Sequence, residues 1–186
     1  SEPNRAETRW MFANFLLRQG RREDALAAFR QVLERGRAYD EAVFDTVRHI
    51  AGLRQIEETV IPFASEAGIS YFRFTLRLAD REAPARAWSR LAGRYHLLGA
   101  ADVTGLCGSL AAAGRFHQAR AAWREWAEAR GAHPSGLLQN GGFEAEPLGG
   151  PYDWRFHPAE GLEVFRDVAV SFTPPASAHL AFRNNS

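Results

Sequence analysis

The sequence predicts a mainly α fold, an α–α superhelix of about four helical hairpins followed by a short β-strand segment, and three observations carry that expectation. Apolar residues recur at three- and four-residue steps on both sides of evenly spaced turn markers. Alanine, the best helix former, is concentrated in residues 1–132, which hold 26 of the 32 alanines and only three of the nine prolines. From Leu137 onward the apolar pattern changes to every second residue, the spacing of a strand.

The repeat is clearest around two glycines. Phe12, Ala13 and Leu16 precede Gly20, and Ala25, Phe29 and Val32 follow it. Leu106, Cys107 and Leu110 precede Gly114 at the same offsets, and Ala119, Trp123 and Trp126 follow. Each set describes two amphipathic helices folded back on one another. Applied at Gly52, the offsets give Phe44, Asp45, Arg48, Glu57, Ile61 and Ala64. At Glu82 they give Phe74, Thr75, Leu78, Ala87, Leu91 and Arg94. The markers fall 32, 30 and 32 residues apart, the period of a helical solenoid whose hairpins cover their apolar faces by stacking. Asp45, Arg48 and Glu57 stand where small or apolar residues belong, so the second hairpin is expected to be distorted or shifted in register.

The segments FANFLLRQGRREDALAAFRQVL and LCGSLAAAGRFHQARAAWREW resemble the tetratricopeptide repeat family. In each, a small residue of the first helix (Ala13, Cys107) faces a small residue of the second (Ala25, Ala119). The resemblance covers about 130 residues. It implies a groove lined by first helices that binds a peptide or a helix of a protein partner. The groove positions would be Trp10, Asn14 and Leu17; Tyr39, Ala42, Thr46 and His49; and Ile69, Phe72 and Leu76. The fourth hairpin would offer the bare surface of Ala101, Thr104, Gly108 and Ala111. The alternative use of the aromatics is packing between neighbouring hairpins. The family's lysine-based carboxylate clamp does not transfer, because the chain has no lysine and Trp10 stands where one would be.

Residues 133–186 read as a second kind of structure. Leu162, Val164, Val168, Val170 and Phe172 would share one face of a strand, with Arg166 interrupting it. Trp154 with Phe156, and Leu180 with Phe182, alternate in the same way. LLQNGGFE, GGPYDWRF and AHLAF resemble the start of bacterial galactose-binding-like, carbohydrate-binding β-sandwich domains. That resemblance implies a sugar platform of Tyr152 and Trp154, with a structural calcium near Glu144. Trp154 as a core residue is the competing reading, and one carboxylate is a thin case for an ion that takes six to eight oxygens. A complete sandwich of this type needs about eight strands, so the segment is expected to be a truncated domain or to pack on the last hairpin.

Composition excludes several function classes. All 23 basic residues are arginine, which removes lysine Schiff bases, Walker-type phosphate loops and the kinase lysine. In residues 1–132, 20 arginines are interleaved with 16 acids, so Arg18, Arg21, Arg22, Arg35 and Arg37 read as a solvated, ion-paired face. With a net charge of +1 and no recognised module, no nucleic-acid partner is expected. Cys107 is alone, the six histidines are scattered, and no metal motif, cofactor motif or catalytic set occurs. No apolar run approaches the length of a membrane span. The expected function is therefore non-enzymatic protein or peptide binding without a cofactor. The alternative is a bacterial envelope protein whose β domain binds polysaccharide, the repeats serving as an assembly arm.

Overall fold

The computed structural model describes residues 3–134, 140–143, 145–157, 159–169 and 176–182. The chain is mainly helical, with eight α-helices and one two-stranded antiparallel sheet among the described residues. It divides into two compact units, Ser1–Leu97 and Leu98–Ser186. The last helical pair therefore groups with the C-terminal segment.

The first unit holds three successive helix pairs: α1 (Pro3–Arg18) with α2 (Arg22–Leu33), α3 (Asp40–Ile50) with α4 (Leu53–Thr59), and α5 (Glu66–Thr75) with α6 (Ala83–Arg90). A single turn of 3₁₀ helix, Tyr95–Leu97, closes it. Glu23 and Asp24 open α2, and Asp40 and Glu41 open α3, placing acids at the positive ends of the helix dipoles. Ser65 caps α5 by accepting the Ala67 N–H, and Asp80 accepts the N–H groups of Glu82 and Ala83 where α6 begins.

Aromatic rings pack within the pairs and from one pair to the next. Trp10 of α1 stacks on Tyr39 at 5.6 Å and meets Phe29 of α2 at 5.5 Å. Phe44 of α3 meets Tyr71 of α5 edge-on at 5.3 Å, and Phe72 of α5 meets Trp88 of α6 at 5.7 Å. Phe29, Phe44, Tyr71 and Phe72 are fully buried. Each such ring contributes roughly 1.5–3 kcal/mol by leaving water.

The second pair departs from a regular hairpin, and Val47 rather than Arg48 turns inward on α3. Asp45 and Arg48 pair with each other on the exposed face at 3.0 Å. Ala51 is extended (φ −139°, ψ 152°), so α4 restarts abruptly at Leu53. Glu57, by contrast, is buried, with Arg86 and Tyr71 as partners.

The second unit begins with α7 (Ala100–Ala112) and α8 (Phe116–Glu128). The α7–α8 turn repeats that of α1–α2. Gly20 and Gly114 take φ of +72° and +74°, a left-handed conformation that glycine adopts without strain. The following Arg21 and Arg115 donate back to Leu16 and Leu110 at 3.0 and 2.8 Å. Small residues let the helices approach: Cys107 Sγ donates to the Ala119 carbonyl at 3.1 Å. Trp126 Nε1 and Arg130 Nη2 both donate to the Leu98 carbonyl, at 2.9 and 2.7 Å.

Beyond α8 the sheet is β1 (Leu162–Asp167) paired with β2 (Ser177–Phe182), Leu162 opposite Phe182 and Val164 opposite Leu180. Arg166 does fall on that apolar face, and its guanidinium donates to the Phe143 carbonyl at 2.7 Å and pairs with Glu146 at 2.8 Å. β1 stops at Asp167, leaving Val168 exposed, while Val170 and Phe172 lie outside the described residues. Trp154 and Phe156, expected on a strand, run instead through turn and irregular chain, where both pack on Phe143. The helical content and the C-terminal antiparallel pair agree with the expected fold class at that coarse level.

Candidate functional site

Two concavities of the first unit lie on first helices of the pairs. One, of about 550 Å³, is lined by Trp10, Met11, Phe12, Asn14, Phe15 and Arg18 of α1. Met11, Phe12 and Phe15 are 61%, 55% and 53% exposed, so α1 presents a row of large apolar side chains to solvent. Phe44 and Phe74 occupy the position of Phe12 in the next two pairs and are buried. The other cavity, of about 530 Å³, sits between the start of α3 and α5 and is lined by Arg37, Ala38, Asp40, Glu41, Ser70, Arg73 and Arg77.

Asp40 is the unusual member. It is 4% exposed, yet neither carboxylate oxygen accepts a hydrogen bond of good geometry from the chain. Burial pushes its carboxyl above the usual carboxylate range, while Ser70 and Arg37 act to lower it. At the cavity rim, Arg77 donates to Glu41 at 2.8 Å, an exposed and weak pair.

The residues singled out from sequence fall into three groups. Trp10 and Tyr39 stack on each other and so serve the junction between pairs. Ile69 and Phe72 are buried, and Leu17, Leu76 and Asn14 are partly covered; the Asn14 side chain donates to the Trp10 carbonyl at 2.9 Å. Ala42 and His49 are exposed on α3, and Thr46 donates to the Ala42 carbonyl at 2.8 Å. The open positions are Ser70 and Arg73 of α5 and Arg77 just past its end, one residue beyond Ile69, Phe72 and Leu76. The cause is packing from two sides: Tyr71 and Phe74 meet Phe44, and Phe72 meets Trp88. A signal for the missed residues was present in the adjacent acids Asp40-Glu41 opening a helix, followed by the charged spacing Arg73–Arg77.

The bare surface of α7 is where the chain's own tail lies. Thr104, Cys107, Gly108 and Ala111 line a concavity of about 460 Å³ with Pro151, Tyr152, Asp153 and Arg155. Ala101 remains exposed. Arg155 Nη2 meets Thr104 Oγ1 at 3.3 Å, and the Tyr152 ring lies 5.4 Å from that of Trp123. Trp154 turns to a different neighbour, 4.9 Å from Phe143, and donates from Nε1 to the Asn140 carbonyl at 2.9 Å. Tyr152 and Trp154 therefore sit on separate neighbours rather than side by side on a strand. Glu144 lies outside the described residues.

Cys107 is buried, and burial pushes its thiol up to about 12. It remains protonated at neutral pH, without the thiolate a nucleophile needs. Among the described residues, no three His, Cys, Asp or Glu side chains converge as a metal site would require. Among the described residues no helix is long and apolar enough to cross a membrane. Compared with family models, curated proteins and solved structures, the chain matches none.

Proposed function

We propose that the chain is a non-enzymatic binding module that takes up a peptide or helical segment of a protein partner along the first helices of its helix pairs, in the manner of tetratricopeptide repeats. One observation carries this reading. The two concavities described above are lined by α1, or by α3, α5 and residues flanking them, and by no residue of α2, α4 or α6. On α2 and α6 the large apolar residues go to the core, whereas α1 leaves Met11, Phe12 and Phe15 in solvent. The α1 concavity suits burial of an apolar side chain against Phe12 and Phe15. The α3–α5 concavity adds charge.

The test selects binders from a displayed library of random dodecapeptides. A photoreactive amino acid then replaces Phe15 or Thr46 on first helices, and Ala27 or Glu58 on second helices, all four being at least partly exposed. Selected peptides are expected to crosslink from Phe15 and Thr46. Crosslinking only from Ala27 and Glu58, or failure to select any peptide, refutes the reading.

A further inference from the structure

Helix α1 is apolar on two opposite faces, where a surface helix needs only one. Ala13 and Leu16 are buried in its packing with α2, while Met11, Phe12 and Phe15 stand more than half exposed. At the position of Phe12 the next two pairs bury Phe44 and Phe74 against each other and against Tyr71. A partner that covers the α1 row gains the stabilisation that these side chains forgo in water. Charge marks which partner. Glu7 and Arg18 are both exposed and lie eleven residues apart, which on an α-helix is three turns and about 20°. They therefore stand on one flank of the apolar row, near its two ends, and the midpoint between them falls just past Phe12, inside the row. In an antiparallel helix pair related by a two-fold axis, the same flank of each helix faces the other. A second α1 laid across the first in this way, row centred on row, brings Glu7 of each copy opposite Arg18 of the other. The register that covers the rings is thus the register that pairs the charges. In a parallel pair these flanks point apart, and neither charge gains a partner.

We propose that the exposed face of α1 is the interface of a homodimer, in which α1 of one copy packs antiparallel on α1 of a second and Glu7 of each meets Arg18 of the other. This rests on the first-helix reading above and names the helical segment that α1 takes. An unrelated peptide could cover the rings, but only a second copy is bound to carry both charges at this spacing. The interface is isologous, so every favourable contact occurs twice. Two helices of this length bury less than the roughly 1,600 Å² of a standard interface, so the dimer is expected to dissociate on dilution.

The experiment is sedimentation equilibrium of the whole chain, expected to pass from monomer at about 1 µM to dimer at about 500 µM. Glu7→Arg and Arg18→Glu each set like charges opposite one another twice, and each is expected to weaken the dimer about tenfold. Mixed in equal amounts, the two variants restore both pairs and are expected to form heterodimers of near-native affinity. Phe15→Glu is expected to abolish the dimer and to keep native helicity by circular dichroism. If the charge variants do not fold, the otherwise native chain with a photoreactive amino acid at Phe12 decides. Crosslinking of that residue to α1 of a second copy supports the proposal, and crosslinking to any other element of the second copy overturns it. A dimer that survives Phe15→Glu, or folded charge variants that do not rescue one another, also overturns it. A chain that stays monomeric throughout, while library-selected peptides crosslink from Phe15, overturns the proposal and leaves the peptide-binding reading standing. A monomer that selects no peptide overturns both.

Discussion

Glu57 and Arg86, 29 residues apart in the chain, meet inside the first unit in a two-pronged ion pair, Nε to Oε2 at 2.9 Å and Nη2 to Oε1 at 3.2 Å. The Glu57 side chain is 4% exposed and that of Arg86 23%. Tyr71 donates its hydroxyl to the same Oε1 at 3.3 Å, and Arg86 reaches Asp80 at 3.1 Å. The pair ties α4 to α6 and shares Tyr71 with α5, so one buried charge cluster joins two helix pairs.

Removing one partner strands the other. Arg86→Ala is expected to lower unfolding free energy by about 3–5 kcal/mol, because Glu57 stays buried without its cation. The double variant Glu57→Leu with Arg86→Met is expected to recover most of that loss. Urea denaturation of the three chains followed by circular dichroism measures both. A double variant as unstable as Arg86→Ala would show that the charges themselves, rather than their separation, hold the helices.

Asp40 makes the opposite contribution. Because burial raises its pKa, the folded chain binds more protons than the unfolded chain from the ordinary value of 3.8 up to the raised one. Stability therefore falls as pH rises through that window, and above it the charged group weighs fully against folding. Asp40→Asn is expected to stabilise the chain at pH 7 by about 1 kcal/mol, the gain fading as pH is lowered towards the ordinary value. Thermal unfolding of both chains across that range tests it. Destabilisation by Asp40→Asn at neutral pH would mean that the carboxylate has a partner worth keeping.

Much of the fold was legible where apolar spacing alone dictates it. Gly20 and Gly114, with Ala13–Ala25 and Cys107–Ala119, announced two pairs closed by the same turn. Glu57 looked misplaced, because an apolar pattern cannot foresee that Arg86, in a later helix, will neutralise it. On α5 the open face was read one residue early: a helix packed from two sides has a narrow solvent stripe, and a one-residue shift, about 100° around the helix, exchanges Phe72 for Arg73. Substituting Trp10 or Phe72 therefore probes packing, whereas Phe15 and Arg73 probe the open surface.

Cys107 reports on the α7–α8 contact. With its thiol held near 12 rather than 9.0, the thiolate fraction at pH 8 is about a thousandfold below that of an ordinary cysteine. The folded chain is expected to react with Ellman's reagent only as it opens, and at full rate in urea. Prompt reaction of the native chain would place the thiol at the surface and undo the close approach to Ala119.

The seat of the tail can be tested at Gly150, which is buried where the chain crosses α8. A methyl group there would come within 2.6 Å of Trp123 Nε1 and 3.3 Å of Trp126. Both indoles are buried, so neither can swing aside without opening the α7–α8 core. Gly150→Ala is thus expected to lift Tyr152 from Trp123 while leaving Cys107 against Ala119. Hydrogen exchange should rise across 148–156 and stay low in α7 and α8, and limited proteolysis should cut the tail sooner. Arg155→Ala removes only the contact to Thr104, made by an exposed side chain, and is expected to cost less than about 0.5 kcal/mol. If Gly150→Ala leaves exchange in 148–156 unchanged, the tail does not rest on Trp123 as described. If it loosens α7 and α8 equally, tail and helices fold as one piece.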